Sequence, residues 1–375
     1  MTPAPKLSFI VLSYNYADLI GQAIRSVLAQ TVQDFEILVV DDASTDASRE
    51  VVRSFLNDQR IKLLTNERNV GGAASYNRAV GAARGEYLVN LDADDWIPPN
   101  KCEAQLAFLA RNNVAVLGSY ATFVNRDGQP AAELAQLEAS VNQPFDNTVD
   151  SWIGQNRLVR SSTMIERQAH LAVGLDDPSM VRAPDYELWT RFFRRGYRFA
   201  VVPEKLVYYR VHGGGVTHKD PRGTILEMSY ATIRNLAPII EQNATWPSLR
   251  RIVQGWVSNP SFLGLRPIER YRLFGMLLGE PVVGDFAAFQ DVVVNGAAAD
   301  GKLVTAGRRL MALTVEDGVA SNDTSLIPSR NANLSEETIN AVVKEVWRER
   351  RRRRLPYKIL AEATRAWTRL NRKHS

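Results

Sequence analysis

The chain has 375 residues, of which 45% are hydrophobic and 23% charged, an ordinary globular balance with room for one large domain or two. Its one cysteine, Cys102, excludes an intramolecular disulfide framework and a cysteine zinc site, and its four histidines (His170, His212, His218, His374) lack HExxH or HxxxH spacing. The net charge of +5 is uneven: residues 344–375 carry twelve Lys/Arg and three Glu, so the rest is slightly acidic, which argues against a nucleic-acid-binding body.

No leader pattern precedes the first strand-like run, and no apolar stretch reaches the roughly 18–20 residues of a membrane span. The expected location is the cytoplasm, with peripheral contact on the inner face of the cell membrane as a further option. Leu7–Ser13 and Phe35–Val40 are continuous apolar, β-branched runs and predict buried strands. Leu19, Ile20, Ala23, Ile24, Val27 and Leu28 fall at helical spacing between them. A second helix is expected to open at Ser44 or Thr45 as its cap. Ile61–Thr65 predicts a third strand, 73–83 a third helix ended near Gly85, and 86–91 a fourth strand. This alternation implies a mostly parallel, Rossmann-like α/β sheet flanked by helices, whose ligands bind beyond the carboxyl ends of the strands.

Further along, 101–113 predicts a helix, 114–124 a strand, 130–150 a loop or short helices, and 186–195 a helix. Arg198–Pro203 and Leu206–Val211 predict two short strands, and Gly213-Gly-Gly215 a mobile break. From about Thr224 the pattern is mainly helical. The chain therefore divides into a sheet domain (1–218), a helical region (219–343) and a basic amphipathic tail (344–375).

Asp92, Asp94 and Asp95 end the fourth strand. Clustered carboxylates repel one another and lose hydration on burial, which a hard cation such as Mg²⁺ or Mn²⁺ relieves while it also binds substrate phosphates. The alternative is an Asp-rich turn that merely caps a helix. Asp41-Asp42 ends the second strand, so both acidic groups are expected at one site. A carboxylate such as Asp42 accepts but cannot donate, which suits the ring N–H of uracil, thymine or guanine. Ser13, Tyr14 and Asn15 replace the GxGxxG turn of a nicotinamide-binding fold.

Leu7–Asn15, Val39–Asp46, Asn69-Val-Gly-Gly72 with Asn77, Ala83–Leu88, Leu91–Asp95, Pro184–Trp189 and Tyr209-Arg-Val-His212 together resemble the family-2 glycosyltransferases, over roughly residues 5–218. That resemblance implies a GT-A fold and an inverting enzyme using a nucleotide-diphosphate sugar, UDP-linked for preference, with Mn²⁺ or Mg²⁺. It implies a nucleotide-sugar pocket of Ser13, Tyr14, Asn15, Asp42, Asn77, Asp92, Asp94, Arg210 and His212, metal contact by Asp94 and Asp95, and Asp185 as the base. The family usually shows Glu-Asp where this chain has Pro184-Asp185, with Glu187 a weaker substitute. Structural readings stand beside these: Asp41 and Asp46 as loop supports, Asn77 satisfying buried backbone, Asp185 as a cap, and Trp152, Trp189 and Tyr186 as core or acceptor border. The expected acceptor is a glycan or lipid-linked hydroxyl in cell-surface polysaccharide synthesis. Leu360, Ala363, Trp367 and Leu370 on a basic helix suit an anionic membrane surface, or docking on protein. Two other functions compete: a sugar nucleotidyltransferase, which would need a glycine-rich phosphate loop after the first strand, and a catalytically weak binding or scaffold protein, which Pro184 keeps open.

Overall fold

Seven strands form one sheet in the order β3-β2-β1-β4-β6-β5-β7. They appear in a computed structural model that describes residues 3–212, 220–243, 245–278 and 284–296. The strands are β1 (Leu7–Ser13), β2 (Phe35–Asp41), β3 (Ile61–Thr65), β4 (Tyr87–Asp92), β5 (Val116–Val124), β6 (Met164–Glu166) and β7 (Phe199–Arg210). β3, β2, β1 and β4 run parallel, β6 pairs antiparallel with both β4 and β5, and β5 and β7 are parallel. The helices follow in the expected alternation: α1 (Ile20–Leu28), α2 (Ser48–Arg53), α3 (Gly72–Ala82), α4 (Lys101–Leu109), α5 (Ala135–Val141), α6 (Arg167–Val173), α7 (Pro184–Arg194) and α8 (Pro221–Ala231).

Side-chain alternation along the strands gives the sheet two apolar faces. Phe9, Val11, Ile37 and Val39 pack with Ile20, Ile24 and Val27 of α1 and Val52 of α2. Ile10, Leu38 and Val40 pack on the other face with Tyr76 and Val80 of α3 and Trp189 and Phe192 of α7. Every residue of β2 is buried, the charged Glu36 and Asp41 included.

Two expectations need correction, and one strand, β6, had no expectation. The second helix begins at Ser48, not Ser44. Ser44 is used elsewhere, its Oγ accepting the Asn15 N–H at 3.0 Å, while Asp46 accepts the Ser48 N–H at 3.0 Å. The two short strands near 198–211 are one strand, β7. It tolerates Pro203 because its register with β5 skips from Val202 to Lys205 there, which leaves the proline out of the ladder. β6, three residues long, was too short to show a period.

Residues through Ile239, with Gly284–Ala287, form one compact unit. The described part of the second unit is helical, as expected, and Trp256, Phe262 and Phe274 form its aromatic centre at ring separations of 5.3–5.5 Å. Among the described residues no helix is long and apolar enough to cross a membrane. The tail (344–375) and the Gly213–Gly215 break lie outside the described residues.

Candidate active site

The parallel register sets Ser13 beside Asp41 and Leu12 beside Asp92, so the carboxyl ends of β2, β1 and β4 are level. With strands about 4.8 Å apart, the ends of β2 and β4 lie roughly 10 Å from each other across β1. Two non-glycine residues just past these ends, Asn15 (φ 60°) and Ala43 (φ 63°), take the left-handed conformation. Such conformations are held against their intrinsic cost by surrounding contacts. Here Asn15 Oδ1 accepts the Thr45 N–H at 2.8 Å and binds the β1 and β2 turns together. Ser13 is buried and Tyr14 exposed on the same turn.

Asp41 and Asp46 support the turn. Asp41 accepts from Ser44 N–H and from Arg49 Nε at 2.6 Å, and Asp46 accepts the Ala17 N–H at 3.0 Å. Asp42 is buried and ties down the next loop: Oδ1 accepts from Asn66 Nδ2 (2.8 Å) and Val70 N–H (2.9 Å), and Oδ2 from Gly71 N–H (2.9 Å). Asn77 clasps residue 176 in both directions, its Nδ2 donating to Asp176 O (2.8 Å) and its Oδ1 accepting the Asp176 N–H (2.9 Å).

At the end of β4, Asp95 is buried; its Oδ1 accepts the Arg210 N–H at 2.8 Å, while Oδ2 is buried without a partner. Asp94 Oδ2 lies 2.9 Å from His212 Nε2. Burial, and then the charge of Asp94, push the Asp92 carboxyl up to about 6 and the Asp95 carboxyl well above its usual range. The Asp185 charge contributes to the push on Asp92. Tyr16, which sequence reasoning missed, has its phenol raised by burial and by these three aspartates, and its ring meets His212 edge-on at 6.3 Å.

Arg210 joins the cluster by a different use of its guanidinium from the one its motif suggested. Nε donates to Asp94 O (2.8 Å), Nη1 to Arg126 O and Nη2 to Gln22 Oε1 (3.0 Å), and the group stacks on Trp96 at 4.9 Å. It shapes the acidic turn from behind. Among the described residues no set of three or more His, Cys, Asp or Glu surrounds a common point. The donor set still fits a hard cation: an unpartnered buried carboxylate oxygen and mutually destabilised aspartates supply one or two ligands, and such ions take the rest from water and phosphate.

Asp185 lies in the first turn of α7, where negative charge is favourable. Its Oδ2 accepts from Asn156 Nδ2 and its Oδ1 from the Tyr186 N–H, each at 2.8 Å. Burial raises its carboxyl above the usual range, against the lowering effect of Arg160 and these donors. Glu187 is turned away, paired with Arg191 at 2.9 Å and with Asn235. Trp152, Trp189, Tyr186 and His170 are core residues. The segment before Asp185 is fixed by Glu227 of α8, whose carboxylate accepts the N–H groups of Val181, Arg182 and Ala183 at 2.7–2.9 Å. No sequence signal marked Glu227, because its partners are backbone groups forty-odd residues away.

Residues 8–168 match the model of the family described as glycosyl transferase family 2. An uncharacterized glycosyltransferase of Haemophilus influenzae is 30% identical over 222 residues, covering 57% of this chain and 68% of that protein. The UDP-Glc:alpha-D-GlcNAc-diphosphoundecaprenol beta-1,3-glucosyltransferase WfgD of Escherichia coli is 37% identical over 142 residues, 38% of this chain and 55% of WfgD. Among solved structures, S. aureus TarS 1-349 in complex with UDP-GlcNAc superposes with a TM-score of 0.55 at 18% identity, over 81% of this chain and 87% of TarS 1-349, a likeness of fold.

Proposed function

This chain belongs to glycosyltransferase family 2, and we propose that it is an inverting enzyme that moves a sugar from a UDP-sugar to a hydroxyl of a glycan or lipid-linked acceptor. The observation that carries the reading is the cluster of Asp92, Asp94 and Asp95 at the carboxyl end of β4, level with the end of β2 at Asp41, with the Asp92 carboxyl raised by burial and by the charges of Asp94 and Asp185. The two acidic strand ends, roughly 10 Å apart, suit the two ends of a nucleoside diphosphate.

In this mechanism Asp42 accepts the uracil ring N–H through its remaining lone pairs while it holds the 66–71 loop. Ser13, Tyr14 and Asn15 border the nucleoside, and Asn77 keeps the wall of the pocket in place through Asp176. Asp94 and Asp95 would hold Mn²⁺ or Mg²⁺, which when bound offsets charge on the departing diphosphate. His212 sits against Asp94 where a phosphate oxygen would meet it, and Arg210 keeps the acidic turn in shape. Asp185 takes the proton from the acceptor hydroxyl as that oxygen bonds to the anomeric carbon. The bond from that carbon to the diphosphate breaks, and its electron pair leaves with UDP. Attack from the face opposite the leaving group inverts the anomeric centre.

The named acceptor of WfgD, a sugar on diphosphoundecaprenol, supports a lipid-linked acceptor and a role in surface polysaccharide synthesis. A panel of nucleotide sugars, screened for UDP release with Mn²⁺ and a polyprenyl-diphosphate-linked sugar, tests the reading. Acceptor-dependent release from a UDP-sugar is expected, and no release from any member of the panel would reject it.

A further inference from the structure

We propose that Asn156 and Arg160, which belong to none of the sequence motifs, are positioning residues that fix the carboxylate of Asp185 in one plane and hold it as the anion. The proposal rests on Asp185 being the acceptor's base. Both residues lie on the strip that leads into β6, and that strip also anchors the donor side. Ser161 Oγ accepts the Asp92 N–H at 2.9 Å, and Thr163 pairs with Asn90 through backbone and side chain. One short segment thus touches the aspartate at the end of β4 and the base at the start of α7.

The Asn156 amide is oriented at both ends: Nδ2 donates to Asp185 Oδ2 at 2.8 Å, and Oδ1 accepts the Leu158 N–H at 3.3 Å. A donor aimed at one carboxylate oxygen, with the Tyr186 N–H on the other, leaves the carboxylate little freedom to rotate. Arg160 is held equally firmly. Its guanidinium stacks 3.9 Å over the Tyr76 ring and its Nη2 donates to buried Asp176 at 2.8 Å, while Nε is buried without a partner. Its charge acts on Asp185 as well as on Asp176, and favours the ionised form of the Asp185 carboxyl. The charged or titratable groups facing Asp185 are Arg160, Asp176, Asp92 on β4 and Tyr209 on β7. Burial and the two aspartates oppose ionisation; Arg160 and Asn156 favour it. A base must be ionised before the acceptor arrives, so these two side chains set the pH at which it is ready.

A purely structural account of Arg160, as a counter-ion for Asp176, makes a different prediction: its removal would alter stability and leave Asp185 untouched. The test uses the full-length protein carrying carboxyl-¹³C aspartate, with the Asp185 resonance assigned by its loss in Asp185→Asn. Its titration midpoint is expected to move up in Asn156→Ala, and to lie higher in Arg160→Met combined with Asp176→Asn than in Asp176→Asn alone, a pairing that avoids stranding a buried carboxylate. Arg160→Lys should return it toward the wild-type value. With UDP-glucose and UDP-N-acetylglucosamine as probes, kcat for UDP release in Asn156→Ala is expected to fall roughly tenfold near neutral pH with the donor KM unchanged, the effect of one hydrogen bond to a charged group. A wild-type midpoint in folded Asn156→Ala, together with a midpoint in the Arg160 pair equal to that of Asp176→Asn alone, would overturn the proposal while the function stands. Full UDP release by Asp185→Asn would overturn the base assignment, and the positioning role with it.

Discussion

As the proposed base Asp185 must be an anion, and burial raises its carboxyl above the usual carboxylate range. The acid limb of kcat/KM should therefore lie above that range, with the rate falling as pH drops through it, and a pH-rate profile measures this directly. As the proposed uracil contact, Asp42 would have a double duty. Because its two oxygens accept from Asn66, Val70 and Gly71, Asp42→Ala should lose UDP affinity and also destabilise the fold by about 1–3 kcal/mol, read by calorimetry and chemical denaturation. At this scale the sequence was informative where a residue is marked by its own charge: the aspartates expected to share a site close β2 and β4, whose carboxyl ends lie level, and open α7. It was silent on Tyr16, Asn156, Arg160 and Glu227, whose roles arise from contacts with residues distant in the chain. For Arg210 the motif marked an important residue, and only the folded turn showed its guanidinium spent on Asp94, Arg126 and Gln22.

Among the elements, the junction of β1 and β4 explains a stretch of the motif that carries no chemistry. Gly85 donates to Ser8 Oγ at 2.8 Å, and a Cβ there would stand 2.5 Å from the Ser8 nitrogen. Arg84 N–H and Ser8 Oγ both donate to buried Glu36, so the Ala83-Arg-Gly-Glu stretch staples β1, β2 and β4 in register. Gly85→Ala should cost at least about 1–3 kcal/mol in denaturant unfolding, because backbone rather than a flexible side chain would have to move. On α6, His170 is enclosed by Tyr76 and Phe192, and burial lowers its imidazole from 6.5 to about 4. The unfolded chain binds the proton first, so stability present above pH 6.5 is lost as pH falls toward 4, on the order of 3 kcal/mol in all. His170→Leu should flatten that acid loss in pH-dependent melts. Strands and helices with a clear period were legible before the structure. β6 and the unity of β7 were not, since three residues carry no period and a proline at a register skip looks like a strand end.

For the molecule as a whole, ligand linkage gives a test that needs no acceptor. UDP with Mn²⁺ at about 100 times its Kd should stabilise the fold by about 2.7 kcal/mol, seen as a rise in Tm that Asp94→Ala and Asp95→Ala each reduce. The basic tail belongs to the same scale. If it carries the enzyme to a lipid-linked acceptor, full-length protein should cosediment with anionic liposomes and a 1–343 truncation should not; equal binding by both would remove the tail from the account. The most direct measurement of the central claim is UDP release from a UDP-sugar in the presence of a polyprenyl-diphosphate-linked sugar, for wild type and Asp185→Asn side by side. Acceptor-dependent release by the wild type and at least a ~100-fold loss in a variant that still binds UDP is the predicted result. Release by Asp185→Asn at the wild-type rate would contradict it.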